Sequence, residues 1–233
     1  MKSEFKYVGS ELELFAAVHN WKAYWAGRVK PFIGGDVLEV GAGIGANTPL
    51  LDSGNHASWV CLEPDADLLD QLKTKVGAGY EIVCGTVERM AAAHRRFDTI
   101  LYIDVLEHIE NDREELALAA SCLNPGGRIV VLSPAHQFLF SPFDAAIGHF
   151  RRYNRAMLRR IGPPELRVEM MIYLDSVGIA ASAANALLLR RSMPNASQLR
   201  FWDRYLVPVS RITDKLLLNS VGKTVIAVWR KPL

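Results

Sequence analysis

A glycine-rich segment running from Val37 to Thr48 constrains the fold of this 233-residue chain more than any other feature. The segment reads VLEVGAGIGANT, an apolar strand pattern followed by three glycines and the start of a helix. Glycines at such a junction let the backbone approach a bound molecule closely, and the first N–H groups of the helix stay available to it. The segment therefore predicts a strand, a tight turn and a helix. We expect a ligand site at the turn; the alternative is a tight turn that binds nothing.

Apolar runs and helical patterns alternate along the chain, which indicates βαβ units and a parallel sheet. We predict strands over residues 36–43, 57–63, 80–85, 97–104, 128–134, 166–175 and 222–231. We predict helices over residues 11–30, 66–76, 86–93, 113–123, 155–161, 176–191 and 197–217. Residues 134–153 form a long loop, which is often functional in a compact domain. The helices between the last two strands are expected to form a cap over one end of the sheet.

Composition excludes several classes of protein. Half of the residues are hydrophobic and 22% are charged, so a chain of this length can bury a core without disulfides or metals. The three cysteines are far apart, the histidines lack the spacing of a helical metal pair, and the N-terminus lacks an apolar signal sequence. We therefore expect a cytoplasmic protein with no bound metal and no membrane-spanning helix.

Charge is distributed unevenly. Residues 1–140 contain 12 Lys and Arg against 19 Asp and Glu, whereas residues 141–233 contain 15 against 6. The second part is therefore where we expect an anionic partner. Nucleic acid is excluded as that partner, because the chain has no recognisable binding module and its acidic first part would repel phosphates.

Two acidic residues bear on which ligand the turn binds. The glycine pattern alone also fits a dinucleotide, so an NAD(P)-dependent oxidoreductase remains an alternative. Glu39 lies two residues before the first glycine, where a carboxylate suits an ammonium or a sulfonium better than a pyrophosphate. S-adenosylmethionine (SAM) carries both cations. Glu63 ends the second strand, near the spacing expected of a carboxylate that binds ribose hydroxyls.

Five segments in this order and spacing resemble the successive motifs of class I SAM-dependent methyltransferases of the small-molecule type, including quinone O-methyltransferases. They are VLEVGAGIGANT, CLEPD, GTVE, FDTILYIDVLEHIEND and LNPGGRIVVLSP. The resemblance covers residues 35–134, and GHFRRY at 148–153 is similar to a subset of bacterial methyltransferases, some associated with cell-surface glycan or lipid pathways. It implies a Rossmann-like α/β fold, a seven-stranded mostly parallel sheet with helices on both faces, one strand antiparallel, and the helical cap between the last two strands.

The resemblance also implies roles for single residues. Glu39, Gly41, Gly43 and Gly45 would hold the methionine part of SAM, and Ala42, Asn47 and Thr48 complete that part of the site. Glu63 would bind the ribose, Pro64 and Asp65 would flank the adenine, and Thr86, Val87 and Glu88 would contact its edge. Many members have an acidic residue where Thr86 stands, so Glu88 or a backbone carbonyl could replace that contact. Asp104 and Val105 would face the methionine and the transferred methyl group.

Candidates for catalysis and substrate binding follow these motifs. His108 is the residue that quinone-type relatives place near the site, and His149, His136 and Tyr153 in the long loop are its rivals; a histidine that only bonds nearby backbone is the alternative. Arg151 and Arg152 could clamp a phosphate or carboxylate, or belong to a solvated helix face. Trp21, Tyr24 and Trp25 could cover the SAM pocket or pack in the core.

We interpret the chain as one domain. Residues 1–34 form an N-terminal helix, 35–134 the SAM-binding core, 135–221 the substrate loop and cap, and 222–231 the last strand. The expected function is SAM-dependent methyl transfer to a small or lipid-linked, anionic acceptor, with a catalytically inactive SAM-binding regulatory protein as a second alternative. The apolar stretch 176–189, followed by Arg190 and Arg191, could rest on an anionic membrane or serve as core or lid.

Overall fold

The computed structural model describes residues 18–184 and 196–233. The strands of these residues form one seven-stranded sheet in the order β3-β2-β1-β4-β5-β7-β6. Their bounds are β1 Gly35–Val40, β2 His56–Glu63, β3 Glu81–Cys84, β4 Phe97–Ile103, β5 Leu123–Pro134, β6 Arg167–Leu174 and β7 Thr224–Arg230.

Most helices lie close to their predicted positions, but a short helix at Pro142–Ala146 lies within the predicted loop 134–153. Their bounds are α1 His19–Val29, α2 Thr48–Leu51, α3 Leu69–Val76, α4 Val87–Ala92, α5 Asp112–Ser121, α6 Pro142–Ala146, α7 Arg155–Ile161, α8 Ser176–Ala184, α9 Ala196–Phe201 and α10 Val207–Leu216. A π-helical turn, Trp202–Leu206, joins α9 to α10, so one nearly continuous helix runs from 196 to 216. The predicted helical residues 11–17 and 185–191, including Arg190 and Arg191, lie outside the described residues.

Strand directions confirm the predicted sheet. β1 is central and pairs in parallel with β2 on one side and β4 on the other. β7 runs antiparallel between β5 and β6 and is the one reversed strand. Because β1, β2 and β4 are parallel, their carboxyl ends meet at one edge of the sheet, and ligands bind at this edge in open α/β sheets.

Apolar side chains on the two faces of the sheet are covered by different helices. One face packs against α4, α5 and α7 through residues such as Met90, Leu116 and Leu158. The other face packs against α1 and the 196–216 helix through residues such as Trp25 and Val207. The helices between the last two strands therefore cover a face of the sheet as well as its end, because their apolar side completes the core on that side.

Three buried aspartates connect the 196–216 helix to its neighbours. Asp203 accepts a hydrogen bond from the backbone N–H of Trp21 in α1 at 2.8 Å. Asp214 accepts from the Tyr24 hydroxyl at 2.8 Å and from two backbone N–H groups after β6. Asp175 accepts from the Trp202 indole at 2.8 Å. Because each carboxylate bonds donors that would otherwise be buried without a partner, the position of α1 depends on these bonds.

Replacing Asp214 by Ala is expected to destabilise the protein by about 3–5 kcal/mol, because three buried donors lose their acceptor at once. Urea unfolding at neutral pH measures this loss. Asp70→Ala, at an exposed position in α3, is the matched control and should change the free energy of unfolding by less than about 0.5 kcal/mol. Equal stability of the Asp214 variant and the control would contradict the structural role of Asp214.

Candidate active site

A cavity of about 1350 Å³ opens at the carboxyl ends of β1, β2 and β4. Typical pockets for a single small ligand measure roughly 300–1,000 Å³, so this one has room for a cofactor and a second molecule together. Its wall includes most of the residues predicted for the cofactor site: Gly41, Ala42, Gly43, Asn47, Glu63, Pro64, Asp65, Thr86, Val87, Glu88, Asp104 and Val105.

The glycine turn forms the floor of this cavity. Gly41 and Gly43 have positive φ angles of 64° and 56°, a region that side chains strongly disfavour. A Cβ atom at Gly41 would lie 2.7 Å from the Val105 side chain, so the turn can approach the end of β4 only without one. Gly45 does not line the cavity; a Cβ there would collide with Leu72 and Val76 of α3, so this glycine permits close packing beneath the turn.

Glu63 connects the turn to the end of β2. One carboxylate oxygen accepts a hydrogen bond from the Gly43 N–H at 2.8 Å, and the other accepts from the Asp65 N–H at 2.9 Å. Burial raises the pKa of Glu63, and these two backbone bonds oppose the rise. The carboxylate is therefore held at the cavity wall by the backbone before any ligand arrives, in the position expected of a ribose acceptor.

Glu39 and Thr48 were predicted to bind the cofactor, but both lie behind the cavity wall and do not line the cavity. The carboxylate of Glu39 is buried and accepts a hydrogen bond from the Trp59 indole N–H at 3.1 Å. Burial raises the pKa of Glu39 to about 7, although hydrogen bonds with Thr48 and Trp59 oppose the rise. Glu39 is therefore not placed for direct contact with a sulfonium or an ammonium in the cavity. It instead supports the glycine turn from behind the wall.

Asp104 and Asn47 are better placed to meet a cation. Asp104, in the left-handed region with φ 54°, faces the cavity directly after β4. The surrounding protein removes hydration and raises its pKa to about 6, against the opposing charges of His149 and Lys22. The side-chain oxygen of Asn47 is buried at the cavity and has no hydrogen-bond partner within the described residues. Both groups could accept hydrogen bonds from an ammonium.

His149 lies in the cavity wall with a carboxylate behind it. Its Nδ1 atom is 3.0 Å from a carboxylate oxygen of Asp144, and its side chain is 8% exposed. Burial acts to raise the pKa of Asp144, but hydrogen bonds from His149 and Arg152 overcome this and hold the pKa well below its usual range. An ionised Asp144 makes Nδ1 the protonated nitrogen, which leaves Nε2 as the basic atom of His149.

His108 also lines the cavity, with its ring centroid 4.5 Å from that of His149. Burial lowers the pKa of His108 to about 4, and the charge of His149 acts in the same direction. His108 is therefore neutral near pH 7 and a weak base. Glu107 is fully buried beside it, with one oxygen unpartnered and 4.0 Å from His149 Nε2. Burial and the charge of Asp104 raise the pKa of Glu107 well above its usual value.

Three predicted catalytic or substrate residues lie elsewhere. Tyr153 is buried in the core, and its hydroxyl donates to Asp112 at 2.8 Å. Arg151 donates to the same carboxylate at 2.6 Å and does not line the cavity. The ring of His136 packs against Tyr173, outside the cavity. Tyr153 and Arg151 instead order the loop, because Asp112 at the start of α5 offers a buried acceptor that the sequence pattern could not reveal.

Arg152 does line the cavity, but its guanidinium is already engaged. Its Nε and one terminal nitrogen each donate to a different oxygen of Asp144 at 2.8 Å. This bidentate geometry is the strongest that arginine makes with a carboxylate. Arg152 therefore fixes the carboxylate that orients His149. Fewer of the N–H groups of Arg152 remain available to bind a substrate anion.

Aromatic side chains form the wall opposite the glycine turn. Trp21 and Trp25 of α1 are buried and line the cavity, so they both pack in the core and cover the site. Tyr24, on the same helix, points instead to Asp214. Phe201 and Trp202 extend this apolar wall to the mouth of the cavity.

Sequence reasoning missed three site residues: Lys22, Glu107 and Asp144. Lys22 reaches from α1 to donate to the Ala46 carbonyl at 3.3 Å, and nothing in the pattern of that helix singles it out. Glu107 was within a quoted motif without an assigned role. Asp144 had a usable signal, since Ser141 and Asp144 have the spacing of a capping box, which the structure forms at the start of α6.

Comparison with known proteins supports a methyltransferase assignment. Residues 38–131 match the family model described as a methyltransferase domain. A curated relative, the ubiquinone biosynthesis O-methyltransferase of Parvibaculum lavamentivorans, is 31% identical over 140 residues, which is 54% of this chain and 53% of the relative. The match therefore spans about half the length of that relative.

Solved structures share the fold. A complex of the Haloferax volcanii Trm112 methyltransferase activator with a putative methyltransferase matches with a TM-score of 0.64 at 16% identity, covering 92% of this chain and 91% of the other. The N-methyltransferase NodS of Bradyrhizobium japonicum, in complex with S-adenosyl-L-homocysteine (SAH), matches with a TM-score of 0.57 at 15% identity, covering 93% and 89%. The family match over residues 38–131, the curated relative and the shared fold support a class I SAM-dependent methyltransferase, and they favour it over the NAD(P) alternative that the glycine pattern left open.

Replacing Glu63 by Gln is expected to weaken SAH binding by about 1–3 kcal/mol, because the amide loses the charge that strengthens hydrogen bonds to ribose hydroxyls. Isothermal titration calorimetry with SAH measures the change. Glu114→Gln, on the exposed side of α5, removes the same charge elsewhere and should leave affinity unchanged. Unchanged affinity in the Glu63 variant would remove that residue from the ribose role.

The affinity for SAH should fall as pH decreases through about 6. Protonation of Asp104, whose pKa is raised to about 6, removes a negative charge facing the ammonium of the ligand. Titrations between pH 5 and pH 8, as a rough working range, should show this dependence in the wild type and a flatter one in Asp104→Asn. An equally steep dependence in the variant would assign the titration to another group.

Proposed function

We propose that this protein transfers the methyl group of SAM to a hydroxyl group on a small, largely apolar acceptor, with His149 as the general base. The observation that carries the proposal is the Asp144–His149 pair, held in the wall of the same cavity that the glycine turn and Asp104 line. Nucleophilic hydroxyls need such a base at neutral pH, and a histidine oriented by a carboxylate supplies one.

The chain offers a fitting partner for each part of SAM. Gly41 and Gly43 provide a floor without side chains, and Glu63 provides the ribose acceptor. Asp104 and the unpartnered oxygen of Asn47 suit the methionine ammonium. Lys22 suits the methionine carboxylate. Burial lowers the pKa of Lys22, and the negative charge of Asp104 opposes this change. When bound, SAM supplies an electrophilic methyl group on a sulfonium.

Proton removal is the step that the protein's own side chains perform. Nε2 of His149 would take the proton of the acceptor hydroxyl, and bound SAM would supply the methyl group from its sulfonium and leave as the thioether SAH. The resulting imidazolium is stabilised by the ionised Asp144 at Nδ1, while Glu107, whose pKa burial raises, lies 4.0 Å from Nε2. His108, neutral at this pH, adds no competing positive charge beside it. Trp21, which packs over the cavity, excludes water that would otherwise solvate the attacking oxygen.

The acceptor is proposed from the lining of the cavity and from the relative. The wall beyond His149 is formed by Phe143, Ile147, Leu199, Trp202 and Leu206, which suit an aromatic ring or an apolar tail. The Parvibaculum lavamentivorans relative is named for O-methylation in ubiquinone biosynthesis. A hydroxylated aromatic or quinol, free or carrying a lipid chain, is therefore the class of acceptor we propose.

An anionic acceptor is not part of this proposal. The expectation of an anionic acceptor was based on the positive charge of residues 141–233 and on Arg151 and Arg152 as a clamp for a phosphate or carboxylate. Arg151 points away from the cavity to Asp112, and Arg152 is held by both oxygens of Asp144. The excess of positive charge must therefore be explained elsewhere on the molecule.

Methyl transfer tests the proposal directly. Purified protein would be incubated with isotopically labelled SAM and a panel of hydroxyquinols, catechols, amines and carboxylates, with mass spectrometry of the products. We expect label on the oxygen of a quinol or catechol. Label on nitrogen or a carboxylate would contradict the acceptor class, and SAH binding with no product from any acceptor would favour a SAM-binding regulatory protein.

His149→Gln is expected to lower kcat by about 100-fold or more while SAH affinity stays unchanged, because the variant loses the base and keeps the cofactor wall. Asp144→Asn should also lower kcat, since the imidazolium formed at His149 loses its carboxylate partner. His19→Gln, at an exposed position, is the control and should match the wild type. Full activity of the His149 variant would contradict its role as base.

A further inference from the structure

The 196–216 helix leaves an apolar stripe in solvent. Its residues recur at the spacing of one helical face, and each is about half exposed or more: Phe201, Tyr205, Val209, Ile212 and Leu216. Leu217 and Leu218 extend the stripe beyond the helix, with Leu218 85% exposed. Contiguous apolar surface of this kind marks an interaction site far more often than scattered single residues do.

The charges next to this stripe have one sign. The segment contains four basic residues, of which Arg200, Arg204 and Lys215 are exposed, whereas Arg211 donates to the Asn20 carbonyl of α1. Its two acidic residues, Asp203 and Asp214, are buried and bonded to α1 and to the segment after β6. The outward side of the helix is therefore apolar and positively charged, with its negative charges turned inward.

We propose that the 196–216 helix docks on the surface of an anionic lipid bilayer, with the apolar stripe in the interface and the basic residues at the headgroups. A helix of 21 residues, about 30 Å long, that is apolar on one side and basic beside it has the features of helices that lie in the membrane plane. Each Lys or Arg near an anionic surface strengthens binding. No helix of the described residues is long and apolar enough to cross a bilayer.

Charge favours the membrane over a second copy of the chain. In a twofold dimer the same face meets itself, so the stripe of one copy would bring its basic residues against those of the other. Protein interfaces are usually poor in charge at their centre, whereas an anionic bilayer is complementary to this face. Residues 141–233 contain 15 basic and 6 acidic residues, and part of this excess of positive charge lies at this surface.

The stripe begins at the mouth of the cavity. Phe201 is 56% exposed and also lines the cavity, and Leu206 lines it one helical turn later. Docking would place the opening beside the bilayer, where an acceptor with an apolar chain is dissolved. This consequence rests on the proposed function, whereas the docking itself does not.

Vesicle flotation tests the docking, with full-length protein at physiological salt. We expect wild-type protein to float with vesicles of phosphatidylglycerol and phosphatidylcholine in equal parts, and to stay behind with phosphatidylcholine alone. Ile212→Asn with Leu216→Asn should reduce the bound fraction about tenfold or more, since both side chains leave the interface. Arg204→Gln with Lys215→Gln should reduce it by a similar factor through loss of charge.

Matched controls separate this surface from general effects. Arg159→Gln with Arg160→Gln removes the same charge from α7, on the opposite face of the sheet, and Val168→Asn replaces an exposed apolar residue of β6; neither should change flotation. All variants should bind SAH as the wild type does, because none of these residues lines the cavity.

Three results would overturn the proposal. The first is no flotation of the wild type, or equal flotation with both vesicle types. The second is an equal loss in the control variants. The third is a wild-type dimer that Ile212→Asn with Leu216→Asn converts to a monomer, which would make the stripe a subunit interface. Methyl transfer to a water-soluble acceptor is measured separately, so failure of docking and failure of the proposed function are distinguishable.

Discussion

Buried carboxylates hold the functional edge of this sheet together. Parallel strands bring their carboxyl ends to one edge, but the loops that follow them need fixed positions, and apolar packing alone is not directional. Glu63 holds the glycine turn, Asp144 holds the segment that carries His149, and Asp214 holds α1 against the 196–216 helix. Each accepts two or more hydrogen bonds, so its loss would leave donors unpaired.

The same arrangement explains the division of roles among the charged groups. Hydrogen bonds from His149 and Arg152 hold the pKa of Asp144 low, whereas burial and the charge of Asp104 raise the pKa of Glu107. The two carboxyl groups near His149 thus differ in protonation because their surroundings differ. The proton at Nδ1 of His149, and with it the proposed role of Nε2 as a base, depends on the ionised form of Asp144.

Much of the fold was accessible from the sequence, since it depends on local pattern. Apolar runs predicted all seven strands, because each strand must bury its residues, and the resemblance to the family predicted one reversed strand. Most of the cavity wall was likewise accessible, because its residues directly follow the predicted strands, although Glu39, Gly45 and Thr48 do not line it.

The choice of partner for a charged side chain was not accessible. Tyr153 and Arg151 bond Asp112 from 41 and 39 residues away, and Glu39 turns to Trp59 on the neighbouring strand. Helical periodicity predicted the 197–217 helix but not which side would stay in solvent. That side became visible only when Asp203 and Asp214 were seen to bond inward.

Calorimetric titration with SAH, with NAD as the control ligand, tests the central claim most directly, since the cavity at the ends of β1, β2 and β4 is assigned to SAM. The account predicts one site per chain with micromolar affinity for SAH and no heat of binding with NAD. Binding of NAD, or no binding of SAH by folded protein, would contradict it.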